Sequence, residues 1–324
     1  MTRAVRIHET GGPEVIRVEE ADPGAPGAGW VRVRHTAVGV NYIDTYHRSG
    51  LYPLSLPSGL GLEAAGVVEE LGAGVTRWKV GDRVAYGTGP VGAYSDAAHV
   101  PEERLVAVPE GVSDEQAAAL MLKGLTAWYL LRRTHRVQAG ETILFHAAAG
   151  GVGLLACQWA AHLGATVIGT AGGASKCALA AKNGCAHVID YSAENFVRRV
   201  REITGERGVP VVYDGVGKTT FDGSLDCLAP RGLMVSFGNA SGSPPAIDMA
   251  MLSLRGSLFI TRPTLMHYTA DPADLAQGAA EMFGLVAQGV LRVEIHQRYA
   301  LADAAIAHRD LEARKTTGAT VLIP

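Results

Sequence analysis

Cysteine and aromatic residues are scarce in this chain of 324 residues, which holds 4 of the former and 6% of the latter. Cys157, Cys177, Cys185 and Cys227 show none of the close spacings of a zinc or dithiol motif, which argues against a disulfide scaffold or a zinc ribbon. Four scattered thiols suit a reducing compartment, where they serve as small buried hydrophobes. Long apolar runs are missing as well. None reaches the roughly 18–20 residues of a membrane span, and the stretch from Met1 to His8 lacks the apolar centre of a signal peptide. The expectation is a soluble, cytoplasmic protein with no membrane partner. Nor is there a surplus of one charge: 29 Lys and Arg against 32 Asp and Glu leave a net charge of −3, with no basic run to attract nucleic acid. Repeats and low-complexity tracts are absent too.

Glycine is abundant, at 40 residues, as suits the many tight turns of an α/β protein. The length predicts two domains. Up to about residue 108, short alternating runs at 4–7, 15–18, 30–35, 65–71, 83–85 and 105–108 are punctuated by Gly and Pro, which predicts an antiparallel, barrel-like domain. Near Ser113 the texture changes. Ser113 followed by Gln116 reads as a capping box opening a helix over 117–122, and a second helix is expected over 126–133.

From Thr142 onwards strand and helix patterns alternate. Strands are expected at 142–146, 166–170, 187–190, 211–213, 233–237 and 257–260, with helices at 154–163, 174–182 and 196–203 between them: a doubly wound parallel sheet. Asp271 followed by Pro272 starts a helix running through 287, and a strand at 294–299, a helix at 303–313 and a strand at 319–323 close the chain. The first strand of the parallel sheet empties into His146-Ala-Ala-Ala-Gly-Gly-Val-Gly153. Gly150, Gly151 and Gly153 thus stand at a strand-to-helix turn, where backbone N–H groups and the helix dipole favour a phosphate.

Five pieces, Gly61-Leu-Glu-Ala-Ala-Gly66, Gly81-Asp-Arg-Val-Ala85, Lys123-Gly-Leu-Thr-Ala127, Ala147 to Gly153 and Val212-Tyr-Asp-Gly-Val-Gly217, resemble in order the zinc-independent quinone oxidoreductases of the medium-chain dehydrogenase/reductase superfamily, the group that includes zeta-crystallin. Ser236-Phe-Gly-Asn239 and Leu322-Ile-Pro324 look like its bacterial NADPH:quinone reductase branch. The resemblance spans the chain and implies a Rossmann doubly wound parallel sheet inserted into a GroES-like β-barrel domain, with residues 1–122 plus 293–324 forming the substrate-side domain and 123–292 binding the nucleotide.

Zinc-dependent members of that superfamily use a Cys and the His of a Gly-His-Glu motif. The corresponding places here carry Asn41 and Leu62, and no Cys precedes Cys157, so no metal is expected. His99, His135 and His146 are scattered and read as surface or satisfied core residues. An NAD site places a carboxylate about 20 residues beyond the glycine turn, to take the ribose 2′-hydroxyl. The count lands on Thr170-Ala-Gly172-Gly173, where no acid stands, while Ser175 and Lys176 follow and Tyr191 ends the next strand. A hydroxyl and a cation welcome a 2′-phosphate, so NADPH is favoured over NADH.

By resemblance, Gly150, Gly151, Val152, Gly153, Gly172, Val216, Phe237, Gly238, Asn239, Thr264 and Arg314 contact the cofactor, and Lys123, Thr126 and Tyr129 lie on its nicotinamide side. Asn41, Tyr46 and Tyr52 are the expected donors to substrate, with Asn41 also near nicotinamide and Asp44 either at the ribose or in a local turn or cap. A quinone that accepts hydride spreads its negative charge by conjugation, so orientation and a hydrogen-bond donor suffice without a Lewis acid. The reading is thus NADPH-dependent reduction of small quinones in the cleft between the domains. Its rivals are reduction of the double bond of an enone or alkenal and, from another class, a non-catalytic NADPH- or RNA-binding protein. A homodimer is expected through the edge strand from Ser257 to Thr261.

Overall fold

The computed structural model describes residues 2–324. Chain contacts divide them into two units, one of residues 2–125, 269–287 and 293–324 and the other of residues 126–268 and 288–292.

In the first unit the strand Trp30–Val40 is the hub. It pairs antiparallel with Ala64–Leu71, with Ala97–Pro101 and with the terminal strand Ala319–Ile323. The last of these pairs in parallel with Ile295–Ala300, so the sheet is mixed where the sequence pattern predicted antiparallel strands alone. Leu and Val side chains from alternate positions, with Tyr86 and Tyr94, fill the core beneath it. A smaller antiparallel sheet combines Arg17–Ala21, Thr2–Ile7 and Ser58–Gly59. The run at 15–18 is not a single strand: Pro13–Val15 turns as a 3-10 helix before the strand Arg17–Ala21 begins.

Two helices of this unit differ from expectation. Tyr42–Ser49, where no helix was expected, is an α-helix with Asn41 at its N-cap. Asp114–Tyr129 is one continuous helix, not two. The capping box forms as expected, with Ser113 N–H donating to Gln116 Oε1 at 3.0 Å and Gln116 N–H donating to Ser113 Oγ at 3.1 Å. The helix Pro272–Ala287, whose start is capped by Asp271 accepting from Ala273 N–H at 2.8 Å, belongs to this unit by its contacts.

The second unit is a six-stranded, wholly parallel sheet in the order Cys185–Asp190, Thr166–Ala171, Thr142–Phe145, Val209–Asp214, Leu228–Ser236, Phe259–Thr261. The chain starts at Thr142–Phe145, winds outward to one side and then returns to build the other. That reversal puts the switch point at the carboxyl end of the first strand, beside the glycine turn, where open α/β sheets bind ligands. Leu144, Ile168, Val212 and Met234 lie in the core on one face, covered by helices that include Phe196–Thr204 and Phe221–Asp226. All four cysteines are free thiols; three are buried, and Cys177 is half-buried on its helix.

Candidate active site

In the second unit, the turn after Thr142–Phe145 is held from below by His146, one of the histidines expected at the surface or satisfied in the core, and by polar side chains far from it in sequence. His146 is buried, and its Nδ1 lies 2.8 Å from Thr170 Oγ1 and its Nε2 3.0 Å from Ser224 Oγ. Ser224 gives its proton to Asp214 Oδ2 at 2.8 Å, so its oxygen accepts from His146 Nε2–H. Nδ1 is then the acceptor for Thr170, and burial, which pushes the His146 pKa down, keeps the ring neutral. Asp214 also takes the N–H groups of Val216 and Gly217, at 2.7 and 3.0 Å. One buried carboxylate thereby ties the loop after the fourth strand to the glycine turn.

Gly150 is the N-cap of the helix Gly151–His162, so the N–H groups of Gly151, Val152 and Gly153 are its first three and have no acceptor within it. A β-carbon on Gly153 would stand 2.3 Å from Ala147 O, which leaves glycine as the residue that lets helix and turn approach. Because all six strands are parallel, the loops after them share the sheet's carboxyl edge. Gly150 to Gly153, Gly172, Ser175 and Lys176, Tyr191, Val216, Phe237 to Asn239, and Thr264 follow the successive strands, so this edge collects them. Ser175 and Lys176 are in the first turn of the helix Ala174–Lys182, and the Tyr191 hydroxyl lies against Gly172. Phe237 packs on Phe145, with ring centroids 5.7 Å apart. A carboxylate does reach this region, from one strand over: Asp190 accepts from Gly173 N–H at 3.0 Å. That bond and others to Ser192 hold it below the ordinary carboxylate range. Thr126 is buried, and Tyr129 stacks on Tyr268 with centroids 4.6 Å apart.

The first unit carries the other group of candidates. Two neighbouring strand ends deliver Asn41, after Val40, and Glu63, before Ala64, side by side, and Gly39 N–H donates to Glu63 O at 3.0 Å. Asn41 Nδ2 donates to Glu63 Oε2 at 2.7 Å, and Lys123 Nζ donates to the same oxygen at 3.0 Å. Leu122 N–H fills Oε1 at 2.7 Å. Glu63 is fully buried and Lys123 5% exposed, so this ion pair is shielded from solvent and salt. Gly39 makes room for it: a β-carbon there would stand 2.2 Å from Glu63 Oε2.

Asp44 is the third residue of the Tyr42–Ser49 helix, and its Oδ2 accepts from Asn41 N–H at 2.8 Å and from the Tyr94 hydroxyl at 2.9 Å. The chain of bonds continues inward. Tyr94 Oη is 3.1 Å from His308 Nε2, and Arg48 Nη1 is 3.2 Å from His308 Nδ1. Arg48 only donates, so Nδ1 accepts, Nε2 carries the proton, and Tyr94 passes its own proton to Asp44. Arg48 ends the chain in a two-pronged pair with Glu312 at 2.6 and 3.0 Å. The tyrosines pack alongside, Tyr46 tilted against Tyr42 at 5.7 Å and edge-on to Tyr52 at 5.2 Å between centroids, and the charge of Arg314 acts on the Tyr42 hydroxyl.

Burial raises the Asp44 pKa to about 7, against smaller lowering effects from Asn41 N–H, Tyr94 and Lys123. Burial lowers His308 to about 3 and His35 to about 4. The native protein holds a proton on Asp44 that the unfolded chain has released by pH 5, so this group's contribution to stability falls as pH rises toward and through 7. The buried histidines act oppositely: His35, His308, His47 and His146, all lowered by burial, add stability as pH rises through the ordinary value of 6.5. Asp44 is therefore read by difference, as a loss of about 1 kcal/mol between pH 6.5 and 8 in the wild type relative to Asp44→Asn. Urea midpoints of the wild type should fall relative to those of Asp44→Asn over that interval; parallel curves would refute the assignment.

Among the described residues, no group of three or more His, Cys, Asp or Glu is placed to hold a metal ion. At the two places the sequence singled out, Asn41 gives its amide to Glu63 and Leu62 is apolar. The remaining carboxylate, Glu63, already faces an ammonium group. These residues do not fit zinc, which needs about four converging N, S or O donors.

The mixed-sheet unit and the six-stranded parallel sheet with its glycine turn define the medium-chain dehydrogenase/reductase class. Residues 27–110 match the alcohol dehydrogenase GroES-like domain and residues 151–277 the family described as zinc-binding dehydrogenase. A quinone oxidoreductase of Pseudomonas aeruginosa is 57% identical over 325 residues, 100% of both chains. The crystal structure of Escherichia coli quinone oxidoreductase complexed with NADPH superposes with a TM-score of 0.98 at 49% identity, covering 100% of both chains. A 2-haloacrylate reductase of a Burkholderia species is 48% identical over 331 residues, 100% of this chain and 99% of that one. The chain belongs to the zeta-crystallin-like quinone oxidoreductases of the medium-chain dehydrogenase/reductase superfamily.

Proposed function

We propose that the protein reduces small quinones with NADPH and without a metal. The observation that carries this reading is the full-length match to quinone oxidoreductases, one of them solved with NADPH, joined to a glycine turn at the switch point of a parallel sheet. When bound, the cofactor supplies a hydride, and the quinone leaves as the hydroquinone after taking one further proton from solvent. Gly150, Gly151, Val152 and Gly153 hold its pyrophosphate on the first N–H groups of the helix Gly151–His162. Ser175 and Lys176 take the 2′-phosphate, with Tyr191 beside Gly172 at the adenosine end. Gly172, Val216, Phe237, Gly238, Asn239, Thr264 and Arg314 complete the cofactor contacts. Lys123, Thr126 and Tyr129 serve the nicotinamide end, as does Asn41, while Asp44, expected either at the ribose or in a cap, is buried as the cap of the Tyr42–Ser49 helix. Asn41, Tyr46 and Tyr52 donate to the substrate.

The Burkholderia relative reduces 2-haloacrylate, by its name, and so favours a second reading: reduction of a carbon–carbon double bond conjugated to a carbonyl. Both reactions place charge on a conjugated oxygen. Steady-state rates with NADPH on a panel of quinones, alkenals and 2-haloacrylate decide between them: the quinones should have the highest kcat/KM, and a preference for the alkenes would replace the first reading with the second. No observation favours an RNA-binding role.

The protein works as a homodimer joined at the outer strand of the parallel sheet. Phe259 on that strand is 61% exposed, and Met249 and Leu254, on the helix Met249–Leu254 just before it, are 73% and 86% exposed. An apolar edge of this kind pairs about a two-fold axis. Light scattering should give a dimer for the wild type and a monomer for Phe259→Lys/Leu254→Lys; equal masses would exclude this interface. No helix among the described residues is long and apolar enough to cross a membrane. The four free thiols support the cytoplasm as its compartment, to be checked by cell fractionation.

A further inference from the structure

Glu63 has no assigned role, yet it gathers three donors in the first unit. Its carboxylate is fully buried and fixed from three sides, by Leu122 N–H on Oε1 and by Asn41 Nδ2 and Lys123 Nζ together on Oε2. An amide nitrogen carries two hydrogens and an ammonium carries three. Each spends one on Oε2, and Lys123 has no other hydrogen-bond partner among the described residues. What remains is one N–H of Asn41 and two of Lys123, side by side on a common anchor. These groups donate only, and they are held at low dielectric with their orientation already fixed, as stabilisation of a developing oxyanion requires.

We infer that Asn41 and Lys123, clamped together on Glu63, form a donor pair that receives the carbonyl oxygen of the acceptor while hydride is delivered to its conjugated system. This rests on the reading of the protein as a quinone or enone reductase. Hydride brings two electrons and one proton from the cofactor, the acceptor's π bond breaks, and its oxygen becomes a hydroquinone or enolate anion. The donor pair holds that anion until solvent supplies the second proton. Glu63 touches no substrate; it is a positioning residue. The ammonium of Lys123 thus supplies the fixed positive charge that a metal would supply elsewhere. The charged and titratable groups around it are Glu63 itself and Asp44, which Lys123 and Glu63 influence in opposite directions, with Tyr94 behind.

Removing Lys123 alone would strand a buried carboxylate, a change costly to folding. The test therefore uses Lys123→Met/Glu63→Gln, which removes both charges and leaves Asn41 an oxygen to bond. The probe is 4-nitrophenol, whose phenolate colour reports its ionisation in the site without turnover. Bound to the wild type, it should ionise about one pH unit or more below its value in water, as a phenol beside a fixed cation does; bound to the double variant, it should not. Across quinones of falling reduction potential, the double variant should lose progressively more kcat, about tenfold for the best acceptors and a hundredfold or more for the poorest, because a poor acceptor depends most on stabilisation of its oxygen. Equal ionisation in both proteins, failure of 4-nitrophenol to bind the wild type, or a uniform loss across acceptors would overturn the donor pair. A wild type that reduces no quinone and no enone would instead overturn the reading on which it rests.

Discussion

Gly153→Ala should raise the Kd for NADPH by about a hundredfold, equivalent to about 2.7 kcal/mol. The added methyl would stand 2.3 Å from Ala147 O and 2.8 Å from Ala148 C and Cα, all backbone atoms that cannot swing aside. The helix start must retreat, and the N–H groups of Gly151, Val152 and Gly153 lose their aim at the pyrophosphate. Quenching of protein fluorescence by NADPH measures the affinity. The displaced helix also packs on the parallel sheet, so a lower melting temperature is expected alongside. Unchanged affinity in a folded variant would remove the glycine turn from the cofactor site.

Lys176→Glu should separate the two nicotinamide cofactors. Replacing an attraction to the 2′-phosphate by a repulsion is expected to weaken NADPH by about 2–3 kcal/mol, roughly 30- to 150-fold, and to leave NADH within about threefold. The contrast is the informative part. General damage to the Ala174–Lys182 helix would weaken both cofactors together, whereas loss of a phosphate contact weakens one. The effect should shrink with added salt, because the first turn of this helix is near the surface. Equal losses for the two cofactors would return their discrimination to other residues, Tyr191 and Ser175 first.

The pH dependence of Asp44 and the donor pair on Glu63 show where reading the sequence stopped. The parallel sheet was legible because each strand is a short apolar run between turn residues, and the terminal strand Ala319–Ile323 was placed to the residue. The glycine turn and the helix Ala174–Lys182 were equally plain. By contrast, the helix Tyr42–Ser49 was hidden: four of its first five positions are β-branched or tyrosine, residues with weak helix propensity. What forms it is the cap, with Asp44 reaching back to Asn41 N–H. The reverse error occurred at Lys123-Gly124, between the two helices expected over 117–122 and 126–133. There the helix continues because its glycine face packs on Met282, whose sulfur would lie 2.4 Å from a β-carbon.

The polar networks were illegible for a different reason: their members are far apart along the chain. Tyr94 is 50 positions from Asp44, and His308 is 214 positions from Tyr94. Lys123 and Glu63, 60 positions apart, were both inside quoted motifs, but only the fold makes them a pair. No acid stands at the position counted near Thr170, and the carboxylate that reaches this region, Asp190 from the neighbouring strand, is taken up in bracing Gly173. A partial clue existed for Asp214, which stands within Val212-Tyr-Asp-Gly-Val-Gly217 just before glycines whose N–H groups need an acceptor.

Hydride reduction of a quinone by NADPH with no metal at the site is tested most directly by the initial rate of NADPH oxidation with ortho- and para-quinones, before and after exhaustive chelation, with NADH in parallel. Turnover should survive chelation and favour NADPH over NADH at least tenfold in kcat/KM. NADPH oxidation that fails with every quinone, or that vanishes on chelation and returns with zinc, would contradict this reading.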